Sequence, residues 1–409
     1  MRYATQLILD QSRSLAKREP GITRLINTRL HVESRQISVI TGIRRSGKST
    51  FMLQLASLFQ DYYYLSFDDE RLIHFTVEDF NALMIAFKAI KEANVIVLDE
   101  IQLVPGWERF VRRIFDEGYK VILSGSNATL LGSELATHLT GRYILTEMFP
   151  FSFPEYLSFL KVETKNLSSS KIAQVRLAFD KYLEGGGFSE YIKCGEVEVL
   201  KRTYDDILYR DLVSRYGIRN ISNFRNLSQY LFTNFTSELV YLSLGELLGF
   251  SSTTTVRDYI HYIAQAYLVF ESNRFDFSLK RQYSTSRKVY VIDNGLRNII
   301  AFRISSDQGQ LLENLVYIEL RRRGHEVWYY RTKQSLETDF LINPRQPELI
   351  QVCYDMSQPH TRKREFQSLL SSMEELKISE ALILTNSEEE TVVDAGKTIQ
   401  VLPAWKWLL

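Results

Sequence analysis

The sequence is poor in cysteine, in long apolar runs and in net charge. Its 409 residues include two cysteines, Cys194 and Cys353, whose separation and surroundings exclude a disulfide scaffold and a structural zinc site. No run approaches the roughly 18 apolar residues of a membrane helix, and residues 1–10 lack the apolar core of a secretory signal. The formal net charge of +1 provides no overall basic field for nucleic acid or membranes. We therefore expect a soluble protein of the reducing cytoplasm.

The first part of the chain alternates apolar strands with helical stretches. Apolar residues make up 45% of the chain and charged residues 24%, which fits roughly two to four domains with large cores. Strands alternating with helices predict a parallel sheet with helices on both faces, an α/β fold. The strand-like runs are 37–40, 62–67, 95–98, 120–123 and 143–146, and the helical stretches include 77–92 and 130–139.

A glycine-containing loop is the most informative stretch. Residues 42–50 read Gly-Ile-Arg-Arg-Ser-Gly-Lys-Ser-Thr and match the pattern G-x-x-x-x-G-K-[ST] at every fixed position. The apolar run 37–40 precedes the loop, and apolar residues at helical spacing follow it. A chance glycine-rich loop is the alternative, but this strand, loop and helix context favours a loop that cradles the phosphates of ATP.

The residue types of this loop suit the chemistry of phosphate binding. Gly42 and Gly47 allow a tight turn in which backbone N–H groups face an anion. Lys48 is predicted to reach the β- and γ-phosphates, and Ser49 to place its hydroxyl on Mg²⁺, so that ATP and Mg²⁺ are the expected cofactors. The predicted nucleotide-binding residues of the loop are Gly42, Ile43, Arg44, Arg45, Ser46, Gly47, Lys48, Ser49 and Thr50.

Two carboxylates follow the apolar run 95–98. A strand buried on both faces reads as continuous apolar sequence, and ligands bind at the carboxyl ends of strands in open α/β sheets. Asp99 is therefore predicted to lie on the Mg²⁺ side, and Glu100 to act as the base that polarises the attacking water. The alternative is a solvated acidic turn after a buried strand.

Further polar residues follow the run 120–123. One of Ser124, Ser126 and Asn127 is predicted to hold the water or the γ-phosphate, with a plain tight turn as the alternative. Arg142 is predicted to be a catalytic residue that stabilises transition-state charge on the nucleotide of a neighbouring subunit in a homo-oligomer. A surface salt bridge is the alternative for Arg142.

Short motifs continue beyond this core. They are Leu-Asp-Glu-Ile-Gln at 98–102, 123–126, 139–142, Phe-Pro-Phe-Ser-Phe at 149–153, Gly-Gly-Gly-Phe at 185–188, Tyr-Arg-Asp-Leu at 209–212 and Val-Ile-Asp-Asn-Gly-Leu at 291–296. Together with the loop 42–50, they resemble prokaryotic ATPases of the AAA superfamily that carry an uncharacterised C-terminal region. The resemblance covers nearly the whole chain and departs from the family at Ser189, where proline is usual. It implies a P-loop ATPase core, a helical lid, a winged helix and a C-terminal domain of restriction-endonuclease-like fold.

The domain prediction combines these segments. Within the lid, the glycines at 185–187 are expected to form either a hinge or a turn. The expected domains are an N-terminal helical lead-in at 1–30, the P-loop ATPase core at 31–157, the helical lid at 158–228, the winged helix at 229–300 and the restriction-endonuclease-like domain at 301–409.

The winged helix is predicted to bind double-stranded DNA through residues 253–288, although many winged helices bind protein instead. Residues predicted to face the major groove are Thr253, Thr254 and Arg257, and those predicted to contact phosphates are Lys280, Arg281, Arg287 and Lys288.

The C-terminal domain is expected to lack nuclease activity. A metal site of the restriction-endonuclease type needs a helix glutamate, a strand aspartate and Glu-x-Lys on the next strand. Glu313 and Asp339 occupy the first two places, but the third reads Gln351-Val352-Cys353. A neutral amide and a soft thiol are poor ligands for a hard cation.

These patterns together predict a cytosolic, Mg²⁺-dependent ATPase whose hydrolysis drives conformational change in the C-terminal domains. Glu100 directly after Asp99 favours water as the nucleophile. One alternative is a nucleotide-gated DNA-binding or scaffold switch with little turnover. Another is an ATP-regulated nuclease.

Overall fold

The structure, a computed structural model, describes residues 2–17, 19, 21–126, 139, 141–166, 168–302 and 308–409. The chain divides into two compact units, Met1–Phe149 and Pro150–Leu409. The division falls at 149, whereas the sequence places the end of the ATPase core at 157. The domain boundaries within the second unit stay predictions.

The first unit contains a parallel sheet, which among the described residues has five strands in the order β2-β3-β4-β1-β5. The strands are β1 (Ile37–Gly42), β2 (Tyr63–Ser66), β3 (Val95–Asp99), β4 (Lys120–Gly125) and β5 (Tyr143–Met148). The helices are α1 (Arg2–Ala16), α2 (Thr28–Glu33), α3 (Lys48–Ala56), α4 (Phe80–Ile90) and α5 (Trp107–Asp116). Short 3₁₀ turns lie at Glu70–Leu72, Val77–Asp79 and Ile101–Leu103.

Helices cover both faces of this sheet, as predicted. One face buries apolar side chains of α1, α4 and α5, including Leu83, Phe110 and Ile114. The other face buries α3 through Phe51 and Leu55. Because both faces are covered, β1 and β3 are buried along their whole length, which explains their continuous apolar sequence. The predicted helix 77–92 is α4 preceded by a 3₁₀ turn, and the predicted helix 130–139 lies outside the described residues except for Leu139.

The second unit starts with helices and ends with a mixed sheet. Its first helices are α6 (Phe153–Phe159), α7 (Ser169–Gly185), α8 (Ser189–Cys194) and α9 (Val197–Asp205), followed by the π-helix Asp206–Val213, the turn Ser214–Tyr216 and α10 (Ile221–Thr233). Next come β6 (Glu238–Leu239), α11 (Tyr241–Leu247), α12 (Thr253–Gln265), β7 (Val269–Asn273), α13 (Leu279–Ser284), β8 (Arg287–Val291) and α14 (Asn294–Ile300). The last elements are α15 (Gln308–Arg322), β9 (Trp328–Arg331), β10 (Glu337–Ile342), β11 (Glu348–Val352), α16 (Pro359–Leu376), β12 (Glu380–Thr385), β13 (Glu390–Asp394), β14 (Lys397–Pro403) and α17 (Ala404–Leu408).

Two sheets organise the second unit. One has the order β6-β8-β7 and is antiparallel. The other has the order β13-β14-β12-β11-β10-β9 and is mixed, with parallel pairing between β11 and β12 and between β12 and β14. The elements on which the winged-helix prediction rests are α11, α12, β7 and β8, and those of the restriction-endonuclease prediction are α15, β9, β10, β11 and α16.

The glycines at 185–187 form a packed turn. The N–H of Gly187 donates a hydrogen bond of 2.7 Å to the buried carboxylate of Asp293, and the N–H of Leu296 donates another of 3.0 Å. A Cβ at Gly186 would lie 2.1 Å from Asp293 Oδ1, so this close approach requires glycine. Burial raises the pKa of Asp293 to about 6. Of the two expectations for this segment, the geometry favours the turn.

Candidate functional site

The glycine-containing loop connects β1 to α3. Gly42 ends β1 beside β5, and a Cβ there would lie 2.1 Å from the carbonyl oxygen of Met148. Gly47 immediately precedes α3 and has a φ of 92°. The loop therefore turns sharply into the N-terminus of a helix, where backbone N–H groups favour an anion.

Lys48 places a positive charge inside the loop. Its side chain is buried, and its Nζ donates hydrogen bonds of 3.1 Å to the carbonyl oxygens of Gly42 and Ile43. An ammonium group at this position of the loop suits binding of the β- and γ-phosphates.

Asp99 lies at the carboxyl end of β3 and is 4% exposed. Because β3 and β4 are neighbours, Ser124 at the end of β4 reaches Asp99 and donates a hydrogen bond to its carboxylate. The Ser49 hydroxyl lies close enough to the same carboxylate to lower its pKa, and the Tyr64 hydroxyl donates a hydrogen bond of 3.3 Å to it. Burial and the adjacent Glu100 raise the pKa of Asp99, while the two serine hydroxyls and Lys48 oppose that rise. The predicted metal residues Ser49 and Asp99 are thus brought together.

This donor set fits Mg²⁺. A hydroxyl and a carboxylate are hard oxygen ligands, and Mg²⁺ in nucleotide sites takes one or two carboxylates with phosphate oxygens and water. No cluster of three His, Cys, Asp or Glu side chains that could bind a metal lies among the described residues. In the predicted site, Ser49 and Asp99 would hold Mg²⁺ together with oxygen atoms of the nucleotide.

Glu100 has an unusual backbone conformation, and hydrogen bonds hold its carboxylate in place. Its φ of 54° and ψ of 40° are in the left-handed region, which non-glycine residues adopt at an energetic cost and often at functional sites. Its N–H donates a hydrogen bond of 3.1 Å to Ser124 Oγ. Its Oε2 accepts hydrogen bonds from Gln102 Nε2 and, at 3.3 Å, from Ser126 Oγ. The carboxylate is therefore oriented beside Asp99 by two donors.

The three candidates for γ-phosphate contact have different positions. Ser124 is buried and links Asp99 to the backbone of Glu100, and Ser126 bonds the Glu100 carboxylate. Asn127 lies outside the described residues. Direct contact with a γ-phosphate stays a prediction for all three.

Arg142 lies at the opposite end of the sheet from the loop. Its Nη1 is 2.8 Å from Asp116 Oδ1, which is the ion pair named as its alternative. β5 runs parallel to β1 and pairs Met148 with Gly42, so Arg142 is six residues, or about 20 Å, along the strand from the loop. It therefore cannot contact a nucleotide bound to its own chain, and a role toward a neighbouring subunit stays a prediction.

Three residues at the site were missed from the sequence: Arg24, Tyr64 and Gln102. Arg24 lies between α1 and α2, where no motif marks it, and its guanidinium contacts the loop at the carbonyl oxygen of Ser46. Tyr64 belongs to an ordinary apolar strand. Gln102 belongs to the Leu-Asp-Glu-Ile-Gln motif, but the motif alone predicts no role for its side chain.

In the second unit, the prediction for Lys288 is wrong. Lys288 was expected to contact DNA phosphates, but it is 5% exposed. Its Nζ lies 3.1 Å from Glu313 Oε1, 2.7 Å from Glu337 Oε1 and 3.9 Å from Asp339 Oδ1. Burial lowers the pKa of Lys288, but these carboxylates raise it more, so the net pKa is above its ordinary value. The carboxylates Glu313 and Asp339 thus share a cluster whose cation is an ammonium group.

Three other basic residues of 253–288 contact neighbouring side chains. Arg287 pairs with Glu271 at 3.1 Å, and Arg281 lies 3.7 Å from Asp276. Arg257 lies over the ring of Tyr241 at 5.3 Å. Contact of this segment with DNA stays a prediction.

Comparison with models of protein families identifies the class of the N-terminal domain. A family model described as "AAA domain" matches residues 34–157, so the chain contains an AAA-family, ATPase-like nucleotide-binding domain. Two models described as domains of unknown function, DUF8612 and DUF4143, match 176–308 and 308–407. The resemblance to AAA ATPases is confirmed, whereas the restriction-endonuclease-like fold stays a prediction.

The chain belongs to the same family as the uncharacterized protein MJ1544 of Methanocaldococcus jannaschii. The two are 35% identical over 99% of this chain and 94% of that protein. An uncharacterized protein of Haemophilus influenzae is 27% identical over 97% of this chain and 100% of that protein. Among solved structures, AMPPCP-bound DnaA from Aquifex aeolicus has a TM-score of 0.30 and 16% identity, over 58% of this chain and 85% of that chain, a likeness too distant to bear on function. No helix in the described residues is long and apolar enough to cross a membrane.

Proposed function

We propose that this protein binds ATP with Mg²⁺ and hydrolyses it, and that the nucleotide state sets the conformation of residues 150–409. One observation carries the proposal. The hydroxyls of Ser49 and Ser124 meet at the Asp99 carboxylate, with Glu100 beside them and Lys48 in the adjoining loop. This arrangement joins a phosphate-binding loop, a pair of Mg²⁺ ligands and a candidate base.

Each residue has a defined task in this reaction. The loop N–H groups and Lys48 bind phosphate oxygens, and Mg²⁺ supplies positive charge to the phosphates when bound. Glu100 accepts a proton from water as the water oxygen bonds the γ-phosphorus. The bond from that phosphorus to the bridging oxygen breaks, which gives ADP and phosphate. Gln102 and Ser126 orient the Glu100 carboxylate for this step.

Replacing Lys48 by alanine is expected to lower ATP affinity about 100-fold and to abolish hydrolysis, because charge-assisted bonds to phosphates are lost. Calorimetric titration with ATP and ADP, together with phosphate release, measures both effects. The matched control is Lys91→Ala, which removes an exposed lysine paired with Asp61 at 3.1 Å. Equal affinities for Lys48→Ala and wild type would refute nucleotide binding by this loop.

A second candidate function is a nucleotide-gated switch with little turnover. It is favoured by the two hydrogen bonds that Glu100 Oε2 accepts from Gln102 and Ser126, because an oxygen held by two side chains is less available to an attacking water.

The variant Gln102→Ala separates the two candidates. If Gln102 restrains Glu100, its removal is expected to raise steady-state turnover by about tenfold, equivalent to 1.4 kcal/mol. If Gln102 positions a working base, turnover falls instead. Measuring phosphate release with and without duplex DNA also tests whether DNA stimulates the wild-type chain.

The finer proposals concern partners. Exposed basic residues within 253–288 support duplex DNA as a partner, with Lys288 excluded from that surface. We also propose a homo-oligomer in which the partly exposed Arg142 leaves Asp116 and faces a neighbour's nucleotide. Nuclease activity is not proposed, because Gln351 and Cys353 replace metal-binding and basic groups and Lys288 fills the carboxylate cluster.

A further inference from the structure

Arg24 joins the phosphate loop to the end of the first unit. The residue is 5% exposed, and it precedes the loop in a stretch without motif. Its Nη1 donates a hydrogen bond of 2.6 Å to the carbonyl oxygen of Ser46, and its Nη2 donates one of 2.8 Å to the carbonyl oxygen of Phe149. Because the guanidinium is planar and rigid, anchoring one side at Phe149 fixes the other side at Ser46.

The hydrogen bond to Ser46 determines the orientation of one peptide group in the loop. In a trans peptide, the C=O and the following N–H point in opposite directions. Holding the Ser46 carbonyl therefore turns the Gly47 N–H away from Arg24. Gly47 has a φ of 92°, and glycine allows other backbone conformations, so the loop sequence alone does not impose this orientation.

The positive charge of Arg24 lies beside the N-terminus of α3. A Cβ at Gly47 would lie 3.3 Å from Arg24 Nη1, so the guanidinium is adjacent to the start of α3. A fixed positive charge beside a helix N-terminus favours an anion bound there.

We propose that Arg24 is a positioning residue that holds the peptide between Ser46 and Gly47 in the orientation required for phosphate binding. The inference rests on the proposed function, because the ligand is the nucleotide of that site. It assigns a role in nucleotide affinity to the stretch before α2, which the sequence presents only as a helical lead-in.

The test uses the full chain with Arg24→Met, which keeps length but removes the donors, and Arg24→Lys, which keeps charge but cannot reach both carbonyls in the same geometry. Titration is expected to show a loss of about 10- to 100-fold in affinity for ATP and for ADP in Arg24→Met. A smaller loss is expected in Arg24→Lys. The matched control is Arg29→Met. The Arg29 side chain is 80% exposed and pairs with Glu33, so the affinity of this variant for ATP and ADP is expected to stay unchanged.

Chemical rescue separates positioning from folding. Adding millimolar methylguanidinium chloride to Arg24→Ala is expected to restore part of the ATP affinity, whereas ammonium chloride does not. A lowered unfolding temperature without a change in affinity would overturn the inference. Should Arg24→Met fail to fold, the affinity of Arg24→Lys decides in its place.

The outcomes distinguish this inference from the proposed function. If wild type binds ATP, Lys48→Ala loses it and Arg24→Met binds like wild type, the role of Arg24 is wrong and the proposed function stands. If wild type binds neither ATP nor ADP, both are wrong.

Discussion

Replacing Glu100 by glutamine is expected to slow ATP hydrolysis by about 100- to 10,000-fold, the range that general-base catalysis contributes. The amide cannot accept the proton of the attacking water, yet it has nearly the size of the carboxylate and can still accept a hydrogen bond from Gln102. ATP affinity is expected to stay within about twofold, because the loop and Lys48 carry phosphate binding. Single-turnover hydrolysis and calorimetric titration measure the two quantities separately.

The control for this experiment is Glu117→Gln. Glu117 is an exposed glutamate in an i,i+4 pair with Arg113, away from the loop, and its replacement leaves both quantities unchanged. If Glu100→Gln hydrolyses ATP at the wild-type rate, Glu100 is not the base. A wild-type chain that binds ATP tightly without turnover would instead support the switch.

The core of the site was predictable because its signals are local in sequence. The loop 42–50 and the pair Asp99 and Glu100 each follow an apolar strand, and parallel strands bring their carboxyl ends to one edge of a sheet. The same reasoning predicted a polar contact with the water or the γ-phosphate from Ser124, Ser126 or Asn127, and the structure adds that β3 and β4 are neighbours, which brings Ser124 to Asp99. The parallel sheet and its buried strands thus followed from short apolar patterns, whereas the order of the strands comes from the structure alone.

The contacts that escaped prediction join residues distant in sequence. Arg24 bonds Ser46, 22 residues away, and Phe149, 125 residues away. An arginine without a motif gives no signal for such a contact, because its partners are backbone carbonyl groups, which every residue has. Tyr64 likewise resembles any apolar strand residue until β2 is placed beside β3.

The Lys288 prediction failed for a related reason. Its basic neighbours between 274 and 288 favour a solvated, phosphate-binding surface. However, β8 is the central strand of its sheet, and its residues from Lys288 to Val291 are all buried, so that only Arg287 is partly exposed. Its burial depends on carboxylates that come from α15 and β10, and nothing in the local sequence identifies them as partners.

Replacing Lys288 by methionine is expected to destabilise the second unit by about 3 to 5 kcal/mol, the usual effect of removing one partner from a buried ionic cluster. The variant leaves Glu313 and Asp339 buried without their ammonium group. Burial already raises the pKa of both carboxyls, and Lys288 is the group that opposes this rise most strongly in each. Denaturant unfolding of the full chain, followed by probes in residues 150–409, measures the loss.

The pH dependence of this loss has a defined sign. Without Lys288, the folded state retains protons on Glu313 and Asp339 that the unfolded chain releases near pH 4. A carboxyl whose folded-state pKa is raised gives stability that is complete below its unfolded pKa and is lost as pH rises through the folded pKa. The deficit of Lys288→Met relative to wild type is therefore expected to be larger at pH 8 than at pH 5. The double variant Lys288→Met/Glu313→Gln is expected to recover part of it, because one buried charge is removed.

The control is the neighbouring residue on the same strand. Arg287 pairs with Glu271 at 3.1 Å, and its side chain is 32% exposed, so Arg287→Met is expected to cost no more than about 1 kcal/mol, with little change between pH 5 and 8. If Lys288→Met matches this control in size and pH dependence, the cluster does not stabilise the unit. If Lys288→Met weakens duplex DNA binding while Arg287→Met does not, Lys288 contacts DNA and is not solely an internal counter-ion. A large, pH-dependent loss confined to Lys288 would identify the ammonium as the internal counter-ion of Glu313, Glu337 and Asp339.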